Sequence, residues 1–191
     1  MNDLPRFASN AALLLIDLQK GIHHPKLGRR NQPDAECRIA ELLACWRHAG
    51  RPVVHVRHVS RDPDSVFWPG QDGAAFQDAF VPGEGEHVIE KHVPDAFAAT
   101  ELASWLHARG IAQLVIAGVI TNNSVESTAR SAGNLGFATV VAEDAAFTFD
   151  RRDLSGRLWR AEDIHALSLC NLAMDYARIM TTARIVELAR R

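Results

Sequence analysis

Three residues with complementary chemistry, a carboxylate, an ammonium group and a hydroxyl, each follow a short apolar run. Asp17 follows LLLI, Lys91 follows VIE, and Ser124 lies just past LVIAGVIT. A carboxylate can take the proton of a nucleophile, and a nearby ammonium group stabilises the charges that develop. Taken singly, each residue is explained by a strand emerging into water. Taken together, the three predict a catalytic centre.

Short apolar runs are the predicted strands that must position these residues. Three of them, AALLLI (11–16), PVVHV (52–56) and LVIAGVI (114–120), are too short for ordinary helices and rich in Val, Ile and Leu, which is typical of strands buried on both faces. Three further candidates are HVIEK (87–91), FATVVA (137–142) and ARIMTT (177–182). The segments between them carry helical patterns over residues 34–49, 101–110, 123–135 and 161–176.

The alternation of strands and helices predicts the fold class. We expect a single α/β domain over residues 1–191, with a three-layer α/β/α arrangement and a mostly parallel, Rossmann-like sheet of about six strands. Ligands of such sheets bind beyond the carboxyl ends of the strands. Asp17, Lys91 and Ser124 are therefore expected at one edge.

Composition limits the partners and the compartment. The formal charge of −2 gives no electrostatic reason to expect nucleic acid or an anionic membrane, and the longest apolar run, 11–16, is too short to span a bilayer. The three cysteines, Cys37, Cys45 and Cys170, form no CxxC pair. Their odd number predicts reduced thiols and a cytoplasmic location.

A long irregular stretch from Ser60 to Glu86, with several prolines and glycines, is interpreted as a loop over the site. Phe67 and Trp68 in this loop, together with Phe97, are candidates for the walls of a substrate pocket, although packing against their own domain or a neighbouring subunit is an equal alternative. Gln19 lies two residues after Asp17, so it points to the same side if the strand continues. It either binds substrate or holds Asp17.

Three segments resemble the signature segments of the isochorismatase-like cysteine hydrolases. They are LLLIDLQKG (13–21), EKHVPDAFAATELASWL (90–106) and AGVITNNSVESTARSAGNLGF (117–137). The last is the most specific of the three, and weaker similarity elsewhere extends the resemblance over most of the chain. The family includes nicotinamidases, carbamoyl-amide hydrolases and isochorismatases.

The resemblance implies a role for each residue of the centre. Asp17 becomes the general base, Lys91 the residue that holds and tunes it, and Ser124 occupies the nucleophile position. The main-chain amides of Ile120 and Ser124 become the oxyanion hole, and the peptide bond between Val119 and Ile120 is expected to be cis. Family members also complete their pockets with a neighbour's loop, so a homo-oligomer, a dimer or a tetramer, is expected.

A metal site and a cofactor are not predicted. Nicotinamidase relatives hold a metal with an Asp-x-His motif, but no aspartate stands two residues before His58. His23 and His24 are adjacent, which suits two directions better than one ion.

Ser124 departs from the family pattern, because the family has cysteine at this position, and an alcohol gives up its proton far less readily than a thiol. The serine is an introduced replacement, or it is natural and the protein is a slow serine enzyme or a silent homologue, or the reaction needs no nucleophile. The leading function is hydrolysis of a C–N bond in a small amide or carbamoyl compound. The alternatives are vinyl-ether hydrolysis with Asp17 as general acid and a catalytically silent scaffold.

Overall fold

The structure, a computed structural model, describes residues 6–191 and is built on a six-stranded parallel sheet. The strands are β1 (Ala12–Ile16), β2 (Val53–His58), β3 (His87–Lys91), β4 (Gln113–Val119), β5 (Ala138–Phe147) and β8 (Arg178–Met180), in the order β3-β2-β1-β4-β5-β8. Each of the six predicted runs supplies one strand. The predicted α/β class with a parallel, about six-stranded sheet is confirmed.

Five helices cover the two faces of the sheet. They are α1 (Ala35–His48), α2 (Leu102–Ala108), α3 (Glu126–Asn134), α4 (Ala161–Asp175) and α5 (Thr182–Ala189). The core cluster containing Leu13 and Leu15 of β1 joins α1 and α5, whereas the cluster containing Leu14 and Ile16 joins α2, α3 and α4. Successive residues of a strand point to opposite faces, so β1 contributes to both clusters and all its side chains are buried.

Two elements were not predicted from the sequence. A short antiparallel hairpin, β6 (Arg151–Arg152) with β7 (Leu158–Trp159), precedes α4. Helix α5 begins directly after β8, where the Thr181 hydroxyl accepts a hydrogen bond from the Arg184 amide and Asp144 accepts one from the Thr182 amide at 2.7 Å. Within residues 6–191, no helix is long and apolar enough to cross a membrane.

Glycine is required where β4 passes closest to β1. Gly118 has a φ of 126°, and a Cβ atom placed there would lie 2.2 Å from the carbonyl oxygen of Ile16. Residues other than glycine rarely adopt this backbone conformation. The absence of a side chain at Gly118 lets the ends of the two central strands, and hence Asp17 and the turn after β4, approach each other.

Candidate active site

Asp17, Lys91 and Ser124 meet at the carboxyl edge of the sheet. Asp17 follows β1, Lys91 ends β3, and Ser124 lies in the turn after β4. The Lys91 ammonium group donates to Asp17 Oδ2 at 2.8 Å and to Ser124 Oγ at 3.2 Å. All three side chains are buried. The second carboxylate oxygen, Asp17 Oδ1, is also buried and accepts no hydrogen bond from residues 6–191.

The backbone at Asp17 is unusual for a residue other than glycine, with a φ of 52°. Aspartate tolerates this left-handed conformation better than most residues do. The Asp17 amide donates to the carbonyl of Val56, and its carbonyl accepts from the Gln19 amide, both at 2.8 Å. These bonds fix the direction in which the chain leaves β1.

Ser124 lies on a wide turn, Thr121–Val125, with π-helical hydrogen bonding, and α3 continues from it. The peptide bond between Val119 and Ile120 is cis, as the family resemblance implied. The turn is held from outside by hydrogen-bonded side chains. Thr121 Oγ1 lies 2.9 Å from His165 Nδ1, and the Thr148 hydroxyl donates to Asn122 Oδ1 at 2.6 Å.

Helix α4 also contacts Glu126, the residue that follows this turn and begins α3. The Ser168 hydroxyl donates to Glu126 Oε2 at 2.6 Å, and Glu126 also accepts from the guanidinium of Arg130. Arg130 therefore ties α3 together and lies over the ring of Tyr176. Both His165 and Ser168 are buried on the inward face of α4.

A cavity of about 150 Å³ opens beside the three residues. Asp17, Ile120 and Ser124 are among the residues that line it. Much of the remaining lining is apolar and comes from the end of β4 and from the segments that follow β1, β2, β3 and β5, namely Ile22, Leu27, Phe67, Pro94, Val119 and Phe149. Such a site fits a small molecule with one polar group facing Asp17 and Ser124.

His58 is the other titratable residue in the cavity lining. Its ring packs edge-on against Phe67, with the ring centres 5.9 Å apart. Burial lowers the pKa of His58 below 6.5, and the nearby Lys91 ammonium group lowers it further. The imidazole is therefore neutral at pH 7. Within residues 6–191, the cavity lining contains neither arginine nor lysine.

The structure places three of the four predicted substrate contacts elsewhere. Phe67 lines the cavity, but Trp68 is outside its lining and 38% exposed. Phe97 packs against Phe137, with the ring centres 5.7 Å apart. Gln19 is fully buried and bonds to backbone: its amide nitrogen donates to the carbonyls of His58 and Ala74, and its oxygen accepts from the His58 amide. Gln19, Trp68 and Phe97 thus lie outside the cavity lining, and their role in substrate binding stays a prediction.

The loop between β2 and β3 lies over the site, as the sequence suggested. It is held by close backbone packing at two glycines, since a Cβ atom on Gly21 or on Gly73 would lie 2.6 Å or 2.3 Å from the carbonyl oxygen of Val66. The lining also contains residues that were not predicted from the sequence, namely Ile22, Leu27, Ser65, Pro94, Val119, Asn123 and Phe149. The position of Phe149 could have been predicted, because it follows the end of β5 at the same edge of the sheet.

The cysteines stand apart from this centre. Cys37 and Cys170 are exposed and Cys45 is half-buried, and none of the three belongs to the cavity lining. In the described part of the chain, no three His, Cys, Asp or Glu side chains gather in a way that could hold a metal ion. Ser124 is the hydroxyl that the fold brings to Asp17 and Lys91.

Comparison with known proteins agrees with this architecture. The family model for the isochorismatase domain matches residues 11–184. A member of the isochorismatase family from Chromobacterium violaceum, known from a crystal structure, superposes with a TM-score of 0.93 at 46% identity and covers 98% of each chain. The isochorismatase family protein YrdC of Bacillus subtilis is 36% identical over 92% of this chain and 94% of its own.

A third relative has a named activity. The maleamate amidohydrolase of Pseudomonas putida is 30% identical over 96% of this chain and 89% of its own length. The parallel sheet, the turn after β4 and these similarities together define the class: the chain is a hydrolase. It belongs to the isochorismatase family.

Proposed function

We propose that this chain, acting as a single domain, hydrolyses a C–N bond in a small, uncharged amide or carbamoyl compound. The observation that carries the proposal is the bridging position of Lys91, whose ammonium group donates to both Asp17 and Ser124 while Asp17 Oδ1 has no partner in the described part of the chain. A buried carboxylate oxygen that is not already hydrogen-bonded is available to take a proton. The amidohydrolase relative supports the choice of a C–N bond.

In the proposed reaction, Asp17 takes the proton of the Ser124 hydroxyl as Ser124 Oγ attacks the carbonyl carbon. The oxyanion receives hydrogen bonds from the main-chain amides of Ile120, which precedes the helical turn, and of Ser124, which lies within it. Asp17 then gives the proton to the departing nitrogen as the C–N bond breaks. Water, deprotonated by Asp17, attacks the resulting ester, and the acid product leaves when the proton returns to Ser124. Lys91 keeps its proton throughout and stabilises the carboxylate.

The cavity supports a neutral substrate. Its volume of about 150 Å³ leaves room for only a small molecule, and its walls are mostly apolar. An acid such as isochorismate would require converging cations, but Arg57 is paired with Glu90 on the surface and His58 is neutral at pH 7. The vinyl-ether alternative therefore has less support than hydrolysis of an amide.

The proposed setting is the cytoplasm, without a nucleic-acid or membrane partner, and with self-association into a dimer or tetramer. The unpaired cysteines and the formal charge of −2 support this setting.

The test is a panel of small neutral amides and activated esters assayed with the protein and with Ser124→Cys. A thiol with a reference pKa of about 8.5 should raise kcat/KM by at least about 100-fold, because the base and the oxyanion donors are already in place. Asp17→Asn in the cysteine background should abolish the gain, since an amide cannot take the proton. Ser104→Cys, which adds a thiol on the exposed side of α2, is the matched control and should change nothing.

Two other outcomes would contradict the proposal. If Ser124→Cys leaves the activity unchanged while Asp17→Asn abolishes it, the better account is acid catalysis by Asp17. If neither substitution changes the turnover of any substrate in the panel, the chain is a silent scaffold.

A further inference from the structure

His58 is held rigidly in the wall of the cavity. The side-chain oxygen of Gln19 accepts from the His58 amide at 2.8 Å, and the side-chain nitrogen of Gln19 donates to the His58 carbonyl at 2.9 Å. Gln19 is fully buried and also donates to the carbonyl of Ala74, so it is itself fixed. The ring of His58 packs edge-on against Phe67. These contacts hold the main chain of His58 and restrict its ring.

The ring of His58 has hydrogen-bonding capacity that the protein does not use. In the described part of the chain, neither ring nitrogen of His58 has a hydrogen-bond partner. Neither is sealed off from solvent, in contrast to His55 Nδ1, a buried nitrogen without a partner. A neutral imidazole has one N–H donor and one acceptor nitrogen. Because His58 lines the cavity, its ring is available to a molecule bound there.

The strand order gives the position of His58 relative to the reacting groups. Neighbouring strands β2, β1 and β4 lead to His58, Asp17 and the turn of Ser124 respectively. Adjacent strands lie about 4.8 Å apart, so Asp17 lies between the other two residues. In the proposed reaction, the carbonyl oxygen points to the main-chain amides of Ile120 and Ser124, on the β4 side. The departing nitrogen lies beside Asp17, so its substituents extend toward β2 and His58.

We propose that His58 is a specificity-determining residue whose acceptor nitrogen takes a hydrogen bond from the N–H group of the departing nitrogen. The inference rests on the proposed hydrolysis of a C–N bond. The hydrogen bond holds the N–H toward β2. When the carbonyl carbon becomes tetrahedral, the lone pair of the nitrogen is freed from conjugation, faces Asp17 and receives its proton there. His58 itself gains and loses no proton. The preferred substrate is then a neutral amide with at least one hydrogen on its nitrogen, because a tertiary amide or an ester has no N–H to donate.

The surroundings of His58 favour the neutral form that this contact requires. Burial lowers the pKa of His58 below 6.5, the Lys91 ammonium group lowers it further, Asp17 opposes this effect, and His92 adds to it. An imidazolium has two donors and no acceptor. The preference for an amide over an ester should therefore be present at pH 7 and lost as the pH falls through the pKa of His58.

Steady-state kinetics at pH 7 with a small primary amide and the methyl ester of the same acid test the proposal, in the Ser124→Cys background if native turnover is too slow. His58→Leu, similar in volume but without polar atoms, should lower kcat/KM for the amide at least about 10-fold and change that for the ester less than about 2-fold. His58→Gln, whose side-chain oxygen accepts hydrogen bonds, should recover part of the loss. His48→Leu replaces an exposed histidine of α1 and is the matched control, which should change neither value. Equal losses on the two substrates, or no loss on the amide, overturn the inference and leave the proposed hydrolysis intact.

Binding without turnover separates this inference from the proposed function. In Ser124→Ala, which lacks the nucleophile, an NMR titration of the C2 proton of the His58 ring measures its pKa, with Ser124→Ala/His58→Gln as the reference for assignment. A saturating primary amide that donates to the ring competes with the proton and should lower the pKa of His58, whereas the ester should not. An amide that raises this pKa or leaves it unchanged refutes the contact. If the amide lowers the pKa but neither the native protein nor Ser124→Cys hydrolyses it, the proposed function fails and the assignment of His58 as a binding residue stands.

Discussion

Replacing Lys91 by methionine should cost the protein stability as well as activity. Lys91 and Asp17 form an ion pair whose side chains are 0% and 4% exposed. Methionine fills a similar volume but leaves the Asp17 carboxylate buried without its partner. Removal of one member of a buried ion pair costs about 3–5 kcal/mol, which is a large part of the roughly 5–15 kcal/mol that stabilises an ordinary domain.

The double variant Asp17→Asn/Lys91→Met separates the two effects. It removes both charges, so it should lose less stability than Lys91→Met alone, with a coupling energy of about 3 kcal/mol between the two sites. All of these variants should be inactive on a substrate that the native protein or Ser124→Cys hydrolyses. A variant that is stable but inactive would show that the charges of Asp17 and Lys91 serve the reaction.

Urea titration at pH 7, followed by the fluorescence of the four tryptophans, measures the free energy of unfolding of each variant. Arg57→Met is the control, since Arg57 and Glu90 form an exposed pair whose loss should cost at most about 1 kcal/mol. A loss below about 1 kcal/mol for Lys91→Met, or strictly additive effects in the double variant, would refute the reasoning.

Two further predictions concern positions outside the reactive groups. Gly118→Ala should lower the free energy of unfolding, measured by urea titration, by about 3 kcal/mol or more, because the added Cβ atom meets the Ile16 carbonyl. Gly156→Ala is the control: its φ is also positive but the space around it is open, so it should lose only about 1 kcal/mol. Equal losses would contradict this explanation. The Arg47 guanidinium beside Glu86 lowers the pKa of that carboxyl from 4.5 to about 2. Between these pH values the unfolded chain binds more protons than the folded protein does. The stabilisation is therefore complete above pH 4.5 and is lost as the pH falls to about 2. Glu86→Gln should therefore be less stable than the native protein by about 1–3 kcal/mol at pH 7, and a difference that persists at pH 2 would be evidence against this cause.

The sheet could be predicted because its signal is local. Strands buried on both faces need unbroken apolar runs, and AALLLI and LVIAGVI are of this kind. Helix α5 lacked such a signal, since it is short and follows β8 without a turn residue. Its first turn is stabilised by Asp144, which lies 38 residues earlier in the chain. The β6–β7 hairpin has only two residues in each strand, too few to show alternation.

The site could be predicted only in part. Strand ends and the family resemblance predicted that Asp17, Lys91 and Ser124 lie together, because the carboxyl ends of parallel strands meet at one edge. The lining residues were harder, because the direction of a loop side chain depends on contacts made far away in the sequence. Trp68 and Phe67 are neighbours in one loop, and only Phe67 points into the cavity. Phe97 was an equally good candidate for the cavity wall by its position in the sequence, but its ring packs against Phe137.

The places where local rules fail are themselves informative. Asp17 holds a left-handed backbone conformation, which costs a residue other than glycine about 1–3 kcal/mol. Lys91 is a fully buried cation, and Ser124 lies on a π-helical turn, a form found frequently at functional sites. Asp17, Lys91 and Ser124 themselves belong to none of the three hydrophobic clusters of the core. Because Asp17 and Ser124 line one small cavity and Lys91 donates to both, selection for a reaction at this edge explains them better than selection for stability does.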